Sequence, residues 1–178
     1  MLTLGIDSSA TAASAAVVEN GKLLGEFFVN TKQTHSQTLL PMVQSLLDTV
    51  GHSCNEVDLL AVSHGPGSFT GVRIGVACVK GMAMVNDTPC VGVSTLETIA
   101  YSGISAQDAL LCAVMDARCG QVYNALFQVE NGKLKRFGYF GIIALQSISN
   151  IGMCLALLPA MGVTLPFFSA GGSSAACM

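Results

Sequence analysis

Charged side chains are scarce in this sequence, and they are unevenly distributed. Only 11% of the 178 residues are Asp, Glu, Lys or Arg, whereas a typical soluble domain has about 25%. All of the charged residues lie between Asp7 and Arg136, and residues 137–178 contain neither a charge nor a histidine. The composition therefore predicts two segments of different kinds, with a boundary near Gly138.

Basic clusters are rare as well. The formal net charge is −3, and the one basic run is Lys133-Leu-Lys135-Arg136. A protein that binds nucleic acid by itself needs a basic face that neutralises phosphates. We therefore predict no direct tight binding of nucleic acid.

The cysteines and histidines lack the spacings of a disulfide framework or a metal site. The seven cysteines form an odd set without a Cys-x-x-Cys pair, which favours free thiols in a reducing compartment. His35, His52 and His64 are isolated, whereas a helical zinc or iron site needs two histidines four residues apart or a nearby carboxylate. We predict no metal site.

The N-terminus predicts the location of the protein. Because the strand-like run Leu2–Ile6 follows no basic leader, we expect no signal peptide and a cytoplasmic location.

Several enzyme motifs are absent from the sequence. The glycine-rich stretch ends without the Gly-Lys-Ser/Thr of a P-loop, it does not match the dinucleotide fingerprint, and Ser68 does not lie in a Gly-x-Ser-x-Gly elbow. No nucleophile stands beside an evident base. We therefore predict no catalytic residues and no self-contained active site.

The most informative stretch that is present runs from Ser63 to Gly75. It is rich in glycine, and it joins a strand-like run, Leu59–Val62, to a helix-like run, Val72–Val85. Such a turn can present backbone N–H groups to an anion. The residues concerned would be Gly65, Gly67, Ser68, Thr70 and Gly71. The alternative is a tight turn that binds nothing, in which Ser68 and Thr70 are candidate helix caps.

A second polar turn follows the first predicted strand. Asp7, Ser8 and Ser9 come before a hairpin signal at Asn20-Gly21. This arrangement resembles the first phosphate loop of the actin-like ATPase superfamily, where an Asp and hydroxyl groups face the phosphates and metal of a nucleotide. In the alternative, which we favour, these side chains only close the turn by hydrogen bonds to the backbone.

Periodic apolar residues predict the first helix over Thr34–Val50. Gly51 is its expected C-cap. Since proline is tolerated only in the first turn of a helix, Pro41 predicts that the helix starts near Thr38 or kinks there.

The second helix is predicted over Val72–Val85, with a stripe from Ile74 to Val85 whose small residues allow another helix to approach closely. A third helix begins at Ser94, with Glu97 completing a capping box. Strand-like runs alternate with these helices over Ala12–Val18, Lys22–Val29, Val57–Val62, Pro89–Val93, Leu110–Met115 and Gln121–Val129.

Four motifs in this order resemble those of the TsaB (YeaZ) family over about residues 1–137. They are Leu4–Ser9, His64–Gly75 continuing into Lys80–Ala83, Val93–Ala100, and Met115–Arg118 with Val122-Tyr123. The resemblance implies an α/β, actin-like fold, with a ribonuclease-H-like first domain over residues 1–105 and the start of a truncated second domain over 106–137. The absence of charge predicts an apolar, membrane-like tail over 138–178.

The resemblance also implies a function. TsaB proteins are non-catalytic partners of the enzyme that makes threonylcarbamoyladenosine on tRNA. We therefore expect a scaffold subunit that binds the catalytic homologue and its ATPase partner, with a homodimer as an alternative. ATP and metal are expected in the catalytic partner, and no cofactor is expected in this chain.

Partner contacts are expected on helices of the first domain. The predicted interface residues are those of the two apolar or small-residue stripes: Leu39, Met42, Val43, Leu46, Gly71, Gly75, Cys78 and Met82.

The tail does not continue the TsaB pattern. Its elements Asn150–Met153, Leu157–Pro159, Leu165–Phe167 and Gly171–Ser174 resemble the C-terminal part of the FtsW/RodA membrane proteins. Residues 138–158 carry no charge, and they approach the length of about 20 residues that a membrane-spanning helix needs. We interpret the chain as a chimera, and a buried apolar segment of a soluble domain is the alternative.

Two other functions remain open at this point. The first is an enzyme of the actin-like superfamily, nucleotide-binding or peptidase-like, that acts through Asp7 and the His64–Gly75 loop. The second is a fragment of a membrane protein of peptidoglycan synthesis, an interpretation that depends on the tail alone.

Overall fold

The computed structural model describes residues 1–31, 33–105, 109–118 and 121–136. Five strands form a mixed sheet in the order β3-β2-β1-β4-β5. Their bounds are β1 Leu2–Asp7, β2 Ala13–Glu19, β3 Lys22–Val29, β4 Leu59–Ser63 and β5 Cys90–Val93. β1 pairs antiparallel with β2 and parallel with β4, so the carboxyl ends of β1 and β4 lie side by side.

Alternating burial along β1 and β2 builds one apolar face of this sheet. Leu2, Leu4 and Ile6 of β1 are buried, while the residues between them are only half-buried. The predicted hairpin at Asn20-Gly21 is present, with φ angles of 50° and 81°. Two positive φ values in a two-residue loop match the twist of the flanking strands.

The first helix, α1, spans His35–Val50 and ends at Gly51, which has φ 78° as the predicted C-cap. The prediction of a start near Thr38 is wrong. The amide of Gln37 donates to the carbonyl of Thr34, so the first turn forms ahead of Pro41. Proline is therefore tolerated inside this helix. The side of α1 that faces the sheet buries Leu39, Met42, Val43, Leu46 and Leu47.

The second helix, α2, spans Phe69–Asn86 and begins earlier than predicted. Ser68 is its N-cap, because its Oγ accepts from the amide of Gly71 at 3.3 Å. Thr70 lies inside the first turn and is not the cap. Val85, at the end of the predicted stripe, has a side chain that is 74% exposed. The buried side of α2 instead consists of Gly71, Gly75, Val79 and Ala83.

The third helix, α3, spans Thr95–Tyr101 after the N-cap Ser94. The predicted capping box does not form, because the side chain of Ser94 makes no capping hydrogen bond. The carbonyl of Ser94 instead accepts from both the amide and the hydroxyl of Thr98.

Three further strands form a second sheet in the order β6-β7-β8, with bounds Leu110–Arg118, Gln121–Glu130 and Lys133–Arg136. Leu96 and Ala100 of α3 cluster with Ala113, Ala125 and Phe127 of this sheet. The turn at Asn131-Gly132 was predicted, but β8 was not, since four residues are too few for a clear alternation.

These elements confirm the predicted α/β class and the predicted order, in which βββαβαβα precedes a further set of strands. Residues Met1–Leu134 form one compact unit. In the part of the chain that the structure describes, no helix has the length and apolar character needed to cross a membrane. The predicted tail lies outside the described residues, and the predicted domain bounds stay predictions.

Two leucines of α1 provide a test of which helix side forms the core. Leu46 is fully buried, whereas Leu40 is 49% exposed. We expect Leu46→Ala to lower the free energy of unfolding by about 2–5 kcal/mol, and Leu40→Ala to change it by less than about 0.5 kcal/mol. Chemical denaturation of both variants measures the difference, and equal losses would contradict the assignment.

Candidate functional site

The two predicted nucleotide-type loops meet at the carboxyl ends of β1 and β4. Asp7 ends β1, and Ser8 and Ser9 follow it. The glycine-rich turn leads from Ser63, at the end of β4, to Ser68 at the start of α2. The structure thus brings together two groups of residues that lie about sixty positions apart in the sequence, as in the hydrogen bond from Ser8 to Gly71 with its separation of 63 residues.

Backbone atoms of the two loops are in direct contact. The amide of Ser68 donates to the carbonyl of Ser9 at 2.6 Å. A Cβ atom on Gly67 would overlap that same carbonyl group. Gly67 is therefore required for the close approach of the two loops, and its missing side chain does not leave room for a ligand.

The side chain of Ser8 fills the space next to α2. Ser8 is fully buried, and its Oγ donates to the carbonyl of Gly71 at 2.9 Å. A Cβ atom on Gly71 would overlap the Ser8 carbonyl oxygen, and one on Gly75 would overlap the Ser8 Oγ. The glycines of α2 are thus matched to Ser8.

Asp7 also makes its hydrogen bond within the loop. Its Oδ1 accepts from the amide of Ser9 at 2.8 Å. This is the local side-chain bond that closes a turn. The carboxylate and the Ser8 hydroxyl, which an ATPase would direct at phosphate and metal, are both used inside this chain.

The other side of the glycine-rich turn rests on β5 and α3. The amide of His64 donates to the carbonyl of Val93 at 3.0 Å, and the amide of Thr95 donates to the carbonyl of Gly65 at 2.9 Å. The imidazole of His64 lies over Gly92, where a Cβ atom would be 2.8 Å from the ring Cδ2. The turn is therefore held from both sides.

Two buried hydroxyls near this turn have no protein partner within the described ranges: Ser9 Oγ and Thr95 Oγ1. An unpaired buried hydroxyl costs free energy unless solvent pairs with it. Sequence reasoning missed Thr95, although its position directly after β5, at the start of a helix, was the available signal.

The described ionisable side chains outside these two loops provide neither a metal site nor an activated nucleophile. No cluster of three metal-ligating side chains occurs among residues that the structure describes. Burial raises the pKa of the Cys78 thiol, which disfavours the nucleophilic thiolate. The pKa of the Glu56 carboxyl is lowered, first by the backbone amide of Ser53 and then by His52, whose Nδ1 lies 3.0 Å from Glu56 Oε2.

Most of the predicted interface residues face the interior of the domain. Four side chains of α1 are at most 5% exposed and belong to the core: Leu39, Met42, Val43 and Leu46. Gly71 and Gly75 are covered by Ser8. This corrects the predicted interface, because a strong apolar stripe marks the side of a helix that packs on its own sheet. Cys78 and Met82 are half-buried and keep some accessible surface.

A different part of α1 and α2 is open to solvent. A groove of about 340 Å³ between the helices is lined by residues that include Leu40, Pro41 and Met82, and we call it the helix groove. On α2, Met84 is 86% exposed and Phe69 is 74% exposed. We refer to the exposed apolar side chains of α1 and α2, Val85 included, as the exposed helix surface.

The fit between Ser8 and α2 yields a test with a matched control. We expect Gly75→Ala to destabilise the domain by about 1–3 kcal/mol, because its Cβ overlaps the Ser8 Oγ. Gly81→Ala, in the same helix with nothing within 4 Å of its Cβ, should instead stabilise by about 0.5–1 kcal/mol. Denaturant titration measures both changes.

The double variant Ser8→Ala/Gly75→Ala completes this experiment. Removing the Ser8 Oγ relieves the overlap, so the combined loss should be smaller than the sum of the two single losses. Additive losses, or a neutral Gly75→Ala, would contradict the close fit.

Comparison with known proteins identifies the family. A family model described as TsaD, tRNA N6-adenosine threonylcarbamoyltransferase, matches residues 22–154. The chain is 42% identical over 134 residues to "tRNA threonylcarbamoyladenosine biosynthesis protein TsaB" of Escherichia coli K12, covering 74% of this chain and 58% of that protein. It is 38% identical over 136 residues to the protein of the same name from Bacillus subtilis 168, covering 76% and 59%.

Solved structures agree with this sequence similarity. "YeaZ from Pseudomonas aeruginosa" superimposes with a TM-score of 0.70 at 34% identity, covering 77% of this chain and 64% of that one. A second structure from this organism, described as similar to the peptidase YEAZ, gives a TM-score of 0.71 at 36% identity, covering 77% and 63%.

The extent of these matches bears on the tail. The chain spans less than two thirds of the length of the relatives it matches. The family match extends to residue 154, past the boundary that composition predicts near Gly138, and the chimera stays an untested prediction. By its family match and its relatives, the chain belongs to the TsaD-related family of threonylcarbamoyladenosine proteins, and within it to the TsaB (YeaZ) proteins.

Proposed function

We propose that this chain is a non-catalytic scaffold subunit of the complex that installs threonylcarbamoyl on adenosine of tRNA. It binds the catalytic homologue, and that homologue holds the ATP and the metal. The observation that carries the proposal is the closure of the two nucleotide-type loops onto each other, with Ser8 packed against Gly71 and Gly75.

The closed loops argue against a nucleotide site in this chain. A glycine-rich turn binds phosphate when its backbone N–H groups face an open space. Here the amide of Ser68 is bonded to Ser9, the Ser8 hydroxyl is bonded to Gly71, and Asp7 is bonded to Ser9. A phosphate would have to displace the hydrogen bonds that Ser68 and Ser8 donate, and we therefore propose that the chain itself holds no cofactor. An enzyme acting through Asp7 and the glycine-rich turn needs the same contacts to open.

The exposed helix surface supports a binding role. Leu40 is 49% exposed, and Met84 and Val85 are 86% and 74% exposed. Exposed apolar side chains, and a groove such as the one between α1 and α2, are typical of protein–protein interaction sites. The partner therefore packs on the outer side of α1 and α2, along the helix groove, and not on the buried stripes.

The role of tRNA in this proposal is indirect. The relatives are named for the biosynthesis of a modified tRNA nucleoside, yet this chain carries a net charge of −3. Unassisted tRNA binding needs many phosphate contacts from Lys and Arg. The chain thus contributes to tRNA modification through its protein partner, whose surface supplies the contacts to tRNA.

A charge placed in the helix groove should weaken association. We expect Leu40→Asp to reduce affinity for the catalytic homologue at least about 100-fold, because the partner would bury an unpaired carboxylate. Val114→Asp is the matched control: Val114 is 50% exposed, close to Leu40 in exposure, but lies in β6. Its affinity should equal that of the unmodified chain in calorimetric titration.

Two further measurements make this test decisive. Unchanged thermal unfolding of both variants establishes that they are folded. Asp7→Ala should retain partner binding, because Asp7 closes an internal turn. Full affinity of Leu40→Asp, or equal losses in Leu40→Asp and Val114→Asp, would contradict the assigned surface.

A further inference from the structure

An exposed arginine and an exposed aromatic ring form a pair at the start of α2. The guanidinium carbon of Arg73 lies 5.0 Å from the centroid of the Phe69 ring. Phe69 is 74% exposed, and Arg73 is exposed as well. A ring at this distance attracts the cation and restricts the directions in which the arginine can point. Both residues therefore present a defined, partly ordered surface to solvent.

This end of α2 carries positive charge without a neighbouring carboxylate. The helix contains the bases Arg73 and Lys80 and no Asp or Glu. Arg73 takes part in no ion pair with another described residue, and the pairs of Met1 with Asp58 and of His52 with Glu56 do not involve it. Asp87 follows the other end of the helix, roughly 20 Å from Arg73 along the axis.

The geometry points to an acidic segment of a protein partner. Resting on the proposed function, we propose that Arg73, oriented by Phe69, binds a carboxylate of the catalytic homologue, while an aliphatic side chain of the same segment covers the Phe69 ring. Guanidinium groups bind carboxylates through two parallel hydrogen bonds. Arginine and aromatic side chains dominate interface energetics, and a side chain that is already ordered loses less entropy on binding.

Charge also distinguishes this partner from a second copy of the chain. A twofold contact centred on Arg73 would place the same patch of each copy opposite itself. Two guanidinium groups would then face each other, and like charges across an interface disfavour association. A heterologous partner with a carboxylate at this point balances the charge, so this patch favours such a partner over a twofold contact centred on Arg73.

The experiment titrates the catalytic homologue into the full chain and three charge variants. We expect Arg73→Glu to weaken binding at least about 100-fold, and Arg73→Lys about 10-fold, because lysine keeps the charge but lacks the planar pair of donors. Lys80→Glu is the control for net charge, since it makes the same charge change in the same helix, and it should weaken binding less than about 3-fold. Raised salt should weaken the unmodified complex more than the Arg73→Glu complex.

Each of the following results would contradict the proposed role of Arg73, and each would indicate a different explanation. If Arg73→Glu binds like the unmodified chain while Leu40→Asp does not, the partner lies in the helix groove but does not use Arg73, and the proposed function stands. Equal losses in Arg73→Glu and Lys80→Glu would indicate diffuse electrostatic attraction. If the unmodified chain fails to bind the homologue, the proposed function fails, and this inference fails with it.

Two outcomes would assign Arg73 to a different ligand. If Arg73→Glu dissociates a homodimer in sedimentation experiments and leaves heterologous binding unchanged, the carboxylate belongs to a second copy. If it weakens tRNA binding by the assembled complex but not assembly itself, Arg73 binds phosphate. Either result contradicts an acidic protein segment at this site.

Discussion

The close approach of the Ser8–Ser9 loop to the start of α2 determines how the first domain is arranged. Three glycines, Gly67, Gly71 and Gly75, lie where any side chain would overlap this loop. Their absence of a Cβ lets the backbone of α2 lie against the end of β1, and the hydrogen bonds from Ser68 and Ser8 hold it there. Since β4 leads into α2 and pairs with β1, the same contact sets the direction in which the helix leaves the sheet.

Two consequences follow for the surfaces of the domain. One side of α2 is closed by Ser8 and the sheet, so its small residues serve internal packing. The opposite side carries Phe69, Arg73 and Met84, which are exposed to solvent. The two polar loops at the ends of β1 and β4 are thus bonded to each other, and the exposed side chains of α2 lie on the other side of the helix.

The sequence predicted the features that depend on local chemistry. The hairpin at Asn20-Gly21 and the C-cap at Gly51 need positive φ angles, which these residues tolerate. Four of the predicted interface residues, on α1, are buried in the core, because an apolar stripe such as Leu39–Leu46 looks the same whether it packs on a sheet or on a partner. The exposed Val85 and the unused cap at Ser94 depend on tertiary contacts between distant segments, and spacing alone cannot predict those.

The two nucleotide-type loops also show which features follow from local sequence and which depend on tertiary contacts. Sequence patterns left open whether Asp7 and the glycine-rich turn bind phosphate or only shape the fold, since both uses need small and polar residues. The packing of Ser8 against Gly75 favours a role in shaping the fold. This contact joins residues far apart in the chain, so the sequence alone could not predict it.

Calorimetric titration of magnesium ATP into the isolated chain tests the central claim most directly. Closed loops predict no saturable heat of binding, and the same trace for the unmodified chain and for Asp7→Ala. Saturable, magnesium-dependent binding that is lost in Asp7→Ala would contradict the account, because the loops would then open to hold a nucleotide.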